Sequence, residues 1–542
     1  MSATSTVSTP NAATAGGGVL RGVVPLFRLQ LRTMRLASAI VFLAVAGTVT
    51  AIMLSIQDLY GDPRSLEVYQ ATLGSSPATA AFNGRPFDLD TTGGVAAYEV
   101  GFFGLLILPA VVMMTAIRVT RAQEDLGRTD LLTSMRVGRL APLTSAFLLV
   151  ASLIVLSCLT IATAAATTDY PTAGTLRFVL ALGLFLWCAA GVGFVAAEMC
   201  QSARSAATVA CAALGVTFLV RAVVDGRSWD LGWATPMGWL AEARPFNDEP
   251  PWWPYVALAV LGIALHVGAV QARNHRDLGG GVIAPRRGPA TGTLRGPLAL
   301  IIHLAGRSAL AWWLGAFAWG AAAGLLAEEM RTVLENNPTL AEALAGDTNN
   351  AGDLMLYIAS VLIGLLAAAT GLHAVGRFAA EETAGRIGLI FSTRLPRSRF
   401  WLIAVVTVYA QVVLTLVIGG LAFELTAMTT DGDASLGDAL SATLPYAAPA
   451  ALITGAGWIL LSARVRWSAA GWLLLLWATV VALLGETLQL PGWARDISPL
   501  ELIGRVPVEP VDGLAVTVLL AAAMVVTTLA MPRLLKRDLA SG

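Results

Sequence analysis

The chain contains little cysteine, lysine or charge. Of its 542 residues, four are cysteines and 13% are charged, whereas soluble domains contain about 25% charged residues. The cysteines show no paired spacing and so give no indication of a disulfide framework or a zinc site. Lys536 is the only lysine and follows no glycine-rich loop. The chain therefore has no phosphate-binding loop of the type G-x-x-x-x-G-K-[ST].

Apolar residues make up 56% of the chain and form long runs throughout it. A run of about 18 apolar residues or more is long enough to cross the hydrocarbon core of a bilayer as a helix. The sequence therefore predicts an all-α polytopic membrane protein. Its twelve predicted spans are 36–56, 100–117, 141–165, 178–198, 206–221, 254–271, 308–327, 354–376, 401–427, 440–463, 467–485 and 513–531.

The distribution of basic residues predicts the orientation of these spans. Arginine and lysine collect on the cytoplasmic side of membrane proteins. If the N-terminus is cytoplasmic, 26 of the 35 basic residues lie in cytoplasmic segments. No cleavable signal peptide is visible, because the first apolar run has the length of a full span. We therefore expect a multi-pass membrane protein with both termini in the cytoplasm.

Two polar segments repeat each other 258 positions apart. They read RAQEDLGRTDLLTSMRVGR (121–139) and AAEETAGRIGLIFSTRLPR (379–397), and each follows the second predicted span of its half. We call them the first and second motif loops. Their pattern predicts a short helix on the membrane surface, with leucines on one face. The simpler alternative, that the arginines only enforce topology, does not explain eight identities in register.

Weaker repeats occur in the same order along the chain. LRGVVP (20–25) returns as LRGP (294–297), TPMGWLAEARP (235–245) returns as SPLELIGRVP (498–507), and RDL (276–278) returns at 537–539. Six spans per half is an even number, so the halves are predicted to be parallel repeats. The predicted segments are a cytoplasmic N-terminus with an amphipathic helix (1–35), a first half (36–272), a linker with a second amphipathic helix (273–307), a second half (308–531) and a cytoplasmic tail (532–542).

The motif loops resemble those of the permeases of type-two ATP-binding-cassette exporters, whose pattern is roughly E-x-x-x-G-T-x-x-x-L-L-x-x-P-x-x-R. The proline of that pattern occurs only in the second loop, as Pro396. The repeat plan is most similar to fused, twelve-span actinobacterial permeases for polyketide antibiotics, such as tetronasin, and for multidrug export. The resemblance implies that the loops are coupling helices. Its coupling residues are Glu124, Gly127, Arg128, Leu131, Leu132, Arg136 and Arg139 in the first loop, and Glu381, Glu382, Gly385, Arg386, Leu389, Ile390, Arg394 and Arg397 in the second.

This resemblance also implies the partners. A separately encoded ATPase, in two copies, would dock on the two loops and hold ATP and Mg²⁺, so that the permease itself binds no cofactor or metal and is not an enzyme. We expect the charged residues to contact the ATPase at the rim and the leucines to fill an apolar cleft, since buried apolar groups dominate most interfaces. The cargo would be a hydrophobic small molecule, with no role for nucleic acid. A proton-coupled carrier of the major facilitator type is the alternative, because it also has twelve spans in parallel halves.

Candidates for the transport path are fewer. Phe102, Phe103, Met113 and Met114 in the second span would form an adaptable lining for apolar ligands. Pro236 and Pro499 begin short segments that resemble outer caps, since proline suits the first turn of a helix. Three carboxylates lie at span ends. We expect Glu99 and Glu424 to be solvated at the outer surface, and Glu198 to pair with Arg204 at the inner surface.

Overall fold

The structure is a computed structural model that describes residues 18–61, 63–73, 80, 83–135, 137–277, 279–283, 296–336, 351–429, 436–484, 492–493 and 497–538. The chain divides into two compact units, Met1–Gly288 and Pro289–Gly542. The described part of each unit consists of helices joined by turns, with no strand.

Twelve helices within the described residues are long and apolar enough to cross a membrane, which confirms the predicted all-α polytopic fold. Each coincides with a predicted span, because apolar length is the property that both the bilayer and the sequence window measure. They are Arg35–Tyr60, Gly104–Asp125, Ala141–Ala165, Thr172–Met199, Ala203–Gly226 and Trp253–Asn274 in the first unit, and Ala309–Ala327, Asp353–Thr383, Arg397–Ala427, Gly437–Ala463, Val465–Ala482 and Gly513–Lys536 in the second.

The first unit begins with a separate amphipathic helix, Val23–Thr33, which buries Leu26. The first two spans each contain a short π-helical turn, Leu43–Gly47 and Phe103–Ile107. The second of these turns lies just before Pro109, which lacks the N–H needed for regular helical bonding.

The fourth span, Thr172–Met199, lies at the centre of the first unit. It is the most buried of the six. Its small residues permit close helix packing. A Cβ at Gly193 would lie 2.8 Å from the carbonyl oxygen of Met113, and a Cβ at Gly191 would lie 2.6 Å from Leu265. Small residues serve this purpose in membranes, where close packing holds helices together.

The second unit begins differently from the first. Its first helix, Pro297–Asn336, runs without a break through the predicted amphipathic segment and the seventh span. The expected second amphipathic helix is therefore the beginning of the span and not a separate element. The eighth span is the most buried helix of this unit, and a Cβ at Gly371 on it would lie 2.0 Å from the Thr454 hydroxyl oxygen.

One end of the first unit carries its N-terminal segment, its motif loop and the residues that follow the sixth span. Gly138 donates its backbone N–H to Arg21 (2.8 Å), and Arg139 donates to the carbonyl oxygen of Asn274 (2.9 Å). In the second unit, Arg397 likewise contacts the carbonyl oxygen of Leu535. Each motif loop therefore packs against the end of the last span of its own unit.

Candidate functional site: the two motif loops

The motif loops have the same local structure. Each contains a six-residue helix, Arg128–Thr133 or Arg386–Phe391. The preceding glycines, Gly127 and Gly385, have left-handed φ values of 68° and 72°, a conformation that glycine adopts without the usual side-chain cost. The predicted short helix is present in both loops, and each follows a tight glycine turn.

Each short helix exposes one leucine. Leu131 is 72% exposed and Leu389 is 71% exposed, so the repeated sequence produces the same surface feature twice. The neighbouring positions, Leu132 and Ile390, are partly buried, and Ile390 packs against the core of its unit. The apolar pair of each loop is therefore divided between one outward-facing and one inward-facing residue.

Glu124 lies inside the first unit. Its side chain is 4% exposed and accepts hydrogen bonds from three arginines. Arg276 binds both of its oxygens (2.8 and 2.9 Å), Arg121 donates at 3.0 Å, and Arg273 forms a further contact. Glu198 joins this ion network through Arg276 Nε at 2.5 Å. Glu124 thus binds groups within its own unit and does not present its carboxylate for the contact with a partner expected from the sequence.

Glu382 occupies the equivalent position in the second unit and is also internal. Its side chain is fully buried, and Arg537 donates to it at 2.6 Å. Arg537 belongs to the second RDL segment, and Arg276 belongs to the first. In both units, therefore, the glutamate of the motif loop binds the arginine of the RDL segment that follows the last span.

The two networks differ at three matched positions. Arg121 donates to the carbonyl oxygens of Gly279 and Gly280 at 2.8 and 2.7 Å, and Ala379 occupies its place in the second loop. The other two matched positions lie at the end of the last span and in the motif loop itself. Leu534 precedes Arg537 by three residues, as Arg273 precedes Arg276, and Glu381 stands where the first loop has Gln123. Apolar packing in the second unit thus replaces part of the ion network.

The remaining basic positions of the motif loops are on the surface. Arg386 pairs with Glu381 at 2.5 Å, which raises the pKa of its guanidinium by hydrogen bonding. Arg128 donates to Gln123 at 3.0 Å. Arg394 is exposed, and Arg136 lies outside the described residues.

The three carboxylates at span ends are not placed as expected. Glu198 pairs with Arg276 and not with Arg204. Glu424 is buried and accepts the backbone N–H of Ala439 at 3.1 Å. Glu99 accepts the hydroxyl of Tyr69. Each has a bonding group supplied by a distant part of the chain, so proximity to a span end did not indicate solvation.

The predicted transport path is only partly visible. Met113 is buried in a cluster with residues of the fourth and fifth spans, and Met114 is partly buried beside it. The side chains of Phe102 and Phe103 lie outside the described residues. The methionines therefore pack within the first unit, and their place in a transport path stays a prediction.

The two outer proline segments have unequal structures. Thr235 accepts the N–H of Gly238 and Pro236 begins a seven-residue helix, Pro236–Glu242. Pro499 lies in a buried turn before the short 3₁₀ helix Glu501–Ile503. The proline segment is thus a helix in the first unit and a turn in the second, and its role as a cap stays a prediction.

The sequence did not predict a buried ion pair near the C-terminal end of the fifth span. Arg221 and Asp225 approach to 3.2 Å with both side chains at most 2% exposed. Their spacing of one helical turn was the available signal, since residues four apart lie on the same face. Arg221 also contacts the carbonyl oxygen of Ala80, which connects this span to the segment between the first and second spans.

Comparisons with known proteins identify a family for this chain. Residues 294–533 match the family described as "Multidrug efflux system permease Rv1217c, C-terminal domain". The multidrug efflux system permease protein Rv1217c of Mycobacterium tuberculosis (strain ATCC 25618 / H37Rv) is 30% identical over 503 residues, which cover 90% of each chain. With this identity extending through both halves, the chain belongs to the family of multidrug efflux system permeases that includes Rv1217c.

Proposed function

We propose that the chain is the membrane-spanning subunit of an ATP-driven pump of the type-two ATP-binding-cassette class. It exports hydrophobic or amphipathic small molecules, such as drugs or polyketide antibiotics of the tetronasin type. A separately encoded ATPase binds in two copies, one for each motif loop, and holds ATP and Mg²⁺. The permease lies in the bacterial plasma membrane with both termini in the cytoplasm.

The observation that carries this proposal is the pair of matched surface helices. Leu131 and Leu389 are almost equally exposed at the same point of the same turn in two units. A single exposed leucine is ordinary on a protein surface, but the same leucine exposed on the same turn of both units is a repeated surface feature. Two such leucines, placed by repetition of one motif, suit two copies of one partner with an apolar cleft.

The buried ion pairs connect the segment that precedes each short helix to the last span of its unit. Arg276 joins Glu124 to the end of the sixth span, and Arg537 joins Glu382 to the end of the twelfth. Burial acts to lower the pKa of Arg276, but hydrogen bonds with Glu124 and Glu198 raise it above its usual value, so the guanidinium stays charged. A displacement of either surface helix by the ATPase would therefore reach a membrane span directly.

The relative's description as part of an efflux system supports a role in export. The lack of a phosphate-binding loop in this chain is consistent with ATP hydrolysis by another subunit. Cargo would then move outward as ATP binding and hydrolysis change the conformation of the permease.

The direct test is to express the chain together with candidate ATP-binding-cassette ATPases and to purify it from membranes. The proposal predicts recovery of a complex with two ATPase copies per permease. It also predicts that inside-out vesicles accumulate a fluorescent hydrophobic drug when given ATP and Mg²⁺. Accumulation by the permease alone, driven by a proton gradient and indifferent to ATP, would contradict the proposal and favour a carrier.

A further inference from the structure

A groove of about 690 Å³ lies between the amphipathic helix Val23–Thr33 and the first motif loop. Its walls are mainly apolar. Leu26 and Leu29 come from the amphipathic helix, and Leu132 and Leu143 come from the motif loop and the third span. Polar side chains lie among them, Gln30 and Arg128 included. Ligand sites of this volume are usually apolar with a few polar groups that fix orientation.

Arg128 gives the groove a positive charge that has no acidic partner among the described residues. It donates only to the neutral Gln123, at 3.0 Å. In the second loop the charge of the matched arginine is neutralised, because Arg386 binds Glu381 at 2.5 Å. The substitution of glutamine for glutamate at this one matched position leaves the first loop with an available cation.

The acids on the groove wall do not cancel this charge. Glu124 and Glu198 line the groove, but both are held by the arginines of the ion network. A hydrogen-bond acceptor is also available there, since Gln30 Oε1 is buried and has no partner within the described part of the chain. The groove therefore offers an apolar wall, one cation and one acceptor for a donor group.

The surroundings of the groove indicate the source of the ligand. The amphipathic helix exposes Arg28 and Arg32 and precedes the first span, which places it in the headgroup layer. Anionic lipids concentrate in the cytoplasmic leaflet, and basic pockets beside spans bind their headgroups. Glycerol hydroxyls of such a headgroup are donors that suit Gln30 Oε1.

We propose that this groove binds one anionic phospholipid of the inner leaflet, with its phosphate on Arg128 and one acyl chain against Leu26, Leu29 and Leu132. The lipid would hold the first motif loop against the membrane. The second loop has the Arg386 ion pair instead. The two loops would then differ in their response to lipid charge, although their surface leucines are alike.

Photoactivatable lipids test this on the full-length chain without any ATPase. The protein is placed in phosphatidylcholine bilayers with a trace of either phosphatidylglycerol or phosphatidylcholine that carries a diazirine high on one acyl chain. After irradiation, labelled peptides are quantified. We expect phosphatidylglycerol to label segments 23–34 and 128–135 about fivefold more than phosphatidylcholine, the ratio for one favourable charge contact of about 1 kcal/mol at a membrane surface.

Matched variants identify the groups responsible. Arg128→Gln should remove the preference for phosphatidylglycerol, and Arg386→Gln should leave it unchanged. Leu29→Trp should abolish labelling by filling the groove without changing its charge. Equal labelling by both lipids, equal loss in both arginine variants, or displacement by glycerol phosphate in solution would overturn the proposal. Unchanged labelling in Arg128→Gln would also overturn it and leave Arg128 as a contact for the ATPase.

Discussion

Glu382 accepts a hydrogen bond from Arg537, which lies 155 positions later in the sequence. The first unit repeats this relationship, since Glu124 binds Arg276 across 152 positions. Two sequence repeats that are far apart in each half thus meet in space. This contact fixes each motif loop to the last span of its unit and is the structural basis of the proposed coupling.

Removing the glutamate should affect the two units differently. Glu124→Ala leaves Arg121, Arg273 and Arg276 close together with side chains that are at most 6% exposed, and breaking a buried pair in this way costs about 3–5 kcal/mol. Glu382→Ala leaves Arg537, which is 18% exposed and can turn toward water.

Thermal unfolding of the purified variants measures this difference. We expect a clearly lower unfolding midpoint for Glu124→Ala than for Glu382→Ala. Glu124→Gln, which retains an acceptor oxygen, should lie between wild type and Glu124→Ala. Equal midpoints for the two alanine variants would show that the extra arginines of the first unit do not depend on Glu124.

Arg121 should hold the start of the linker against the first unit. Ile283 donates its N–H to Met199 at 3.0 Å, and Arg121 binds the nearby carbonyls of Gly279 and Gly280. Loss of a charged hydrogen bond costs about 1.5–3 kcal/mol. Arg121→Ala should therefore speed amide exchange at Ile283 by about tenfold or more, measured by hydrogen–deuterium exchange. Arg128→Gln is the control, and unchanged exchange in Arg121→Ala would remove this role.

The loop glycines should be replaceable only at a conformational cost. No atom lies within 4 Å of a Cβ built on Gly127 or Gly385, so a new side chain meets no obstacle. The left-handed φ alone penalises alanine, by about 1–2 kcal/mol. Gly127→Ala should lower substrate-stimulated ATPase activity of the complex more than Gly127→Asn, since asparagine tolerates this φ better. Equal activities of the two variants would mean that φ at this turn is unimportant.

Membrane orientation can be measured with single cysteines in a cysteine-free background. Ser134→Cys and Ser392→Cys lie in the motif loops, whereas Glu249→Cys and Thr429→Cys lie at the opposite ends of spans. All four positions are exposed. An impermeant maleimide added to intact cells should label only the last two. Labelling of either motif position from outside would reverse the proposed topology.

The sequence predicted the spans because their length and apolar character are local properties. It also predicted the two short helices, since Gly127 and Gly385 mark the turns and the leucines mark one face. It did not predict the networks beneath them. Glu124 and Glu382 follow a span in a polar segment, which suggested exposure, and the RDL arginines that they bind are more than 150 positions away.

The sequence shows the RDL segments as repeats, but nothing local in it indicates that their arginines contact the motif glutamates. Proximity in the sequence predicts that Glu198 pairs with Arg204, whereas in the fold its partner is Arg276. The continuous helix Pro297–Asn336 also differs from the prediction, which placed a separate amphipathic helix before the seventh span.

We propose that Leu131 and Leu389 couple the permease to an ATPase. Substrate-stimulated ATP hydrolysis by the purified complex measures this coupling. The variants are Leu131→Asp, Leu389→Asp and the double variant, with Ile283→Asp as a control because Ile283 is also more than half exposed. Truncating or charging a buried interface residue costs about 2 kcal/mol or more. The double variant should lose substrate stimulation and most complex recovery, whereas the Ile283→Asp control should behave as wild type. Full stimulation and normal complex recovery in the double variant would contradict it.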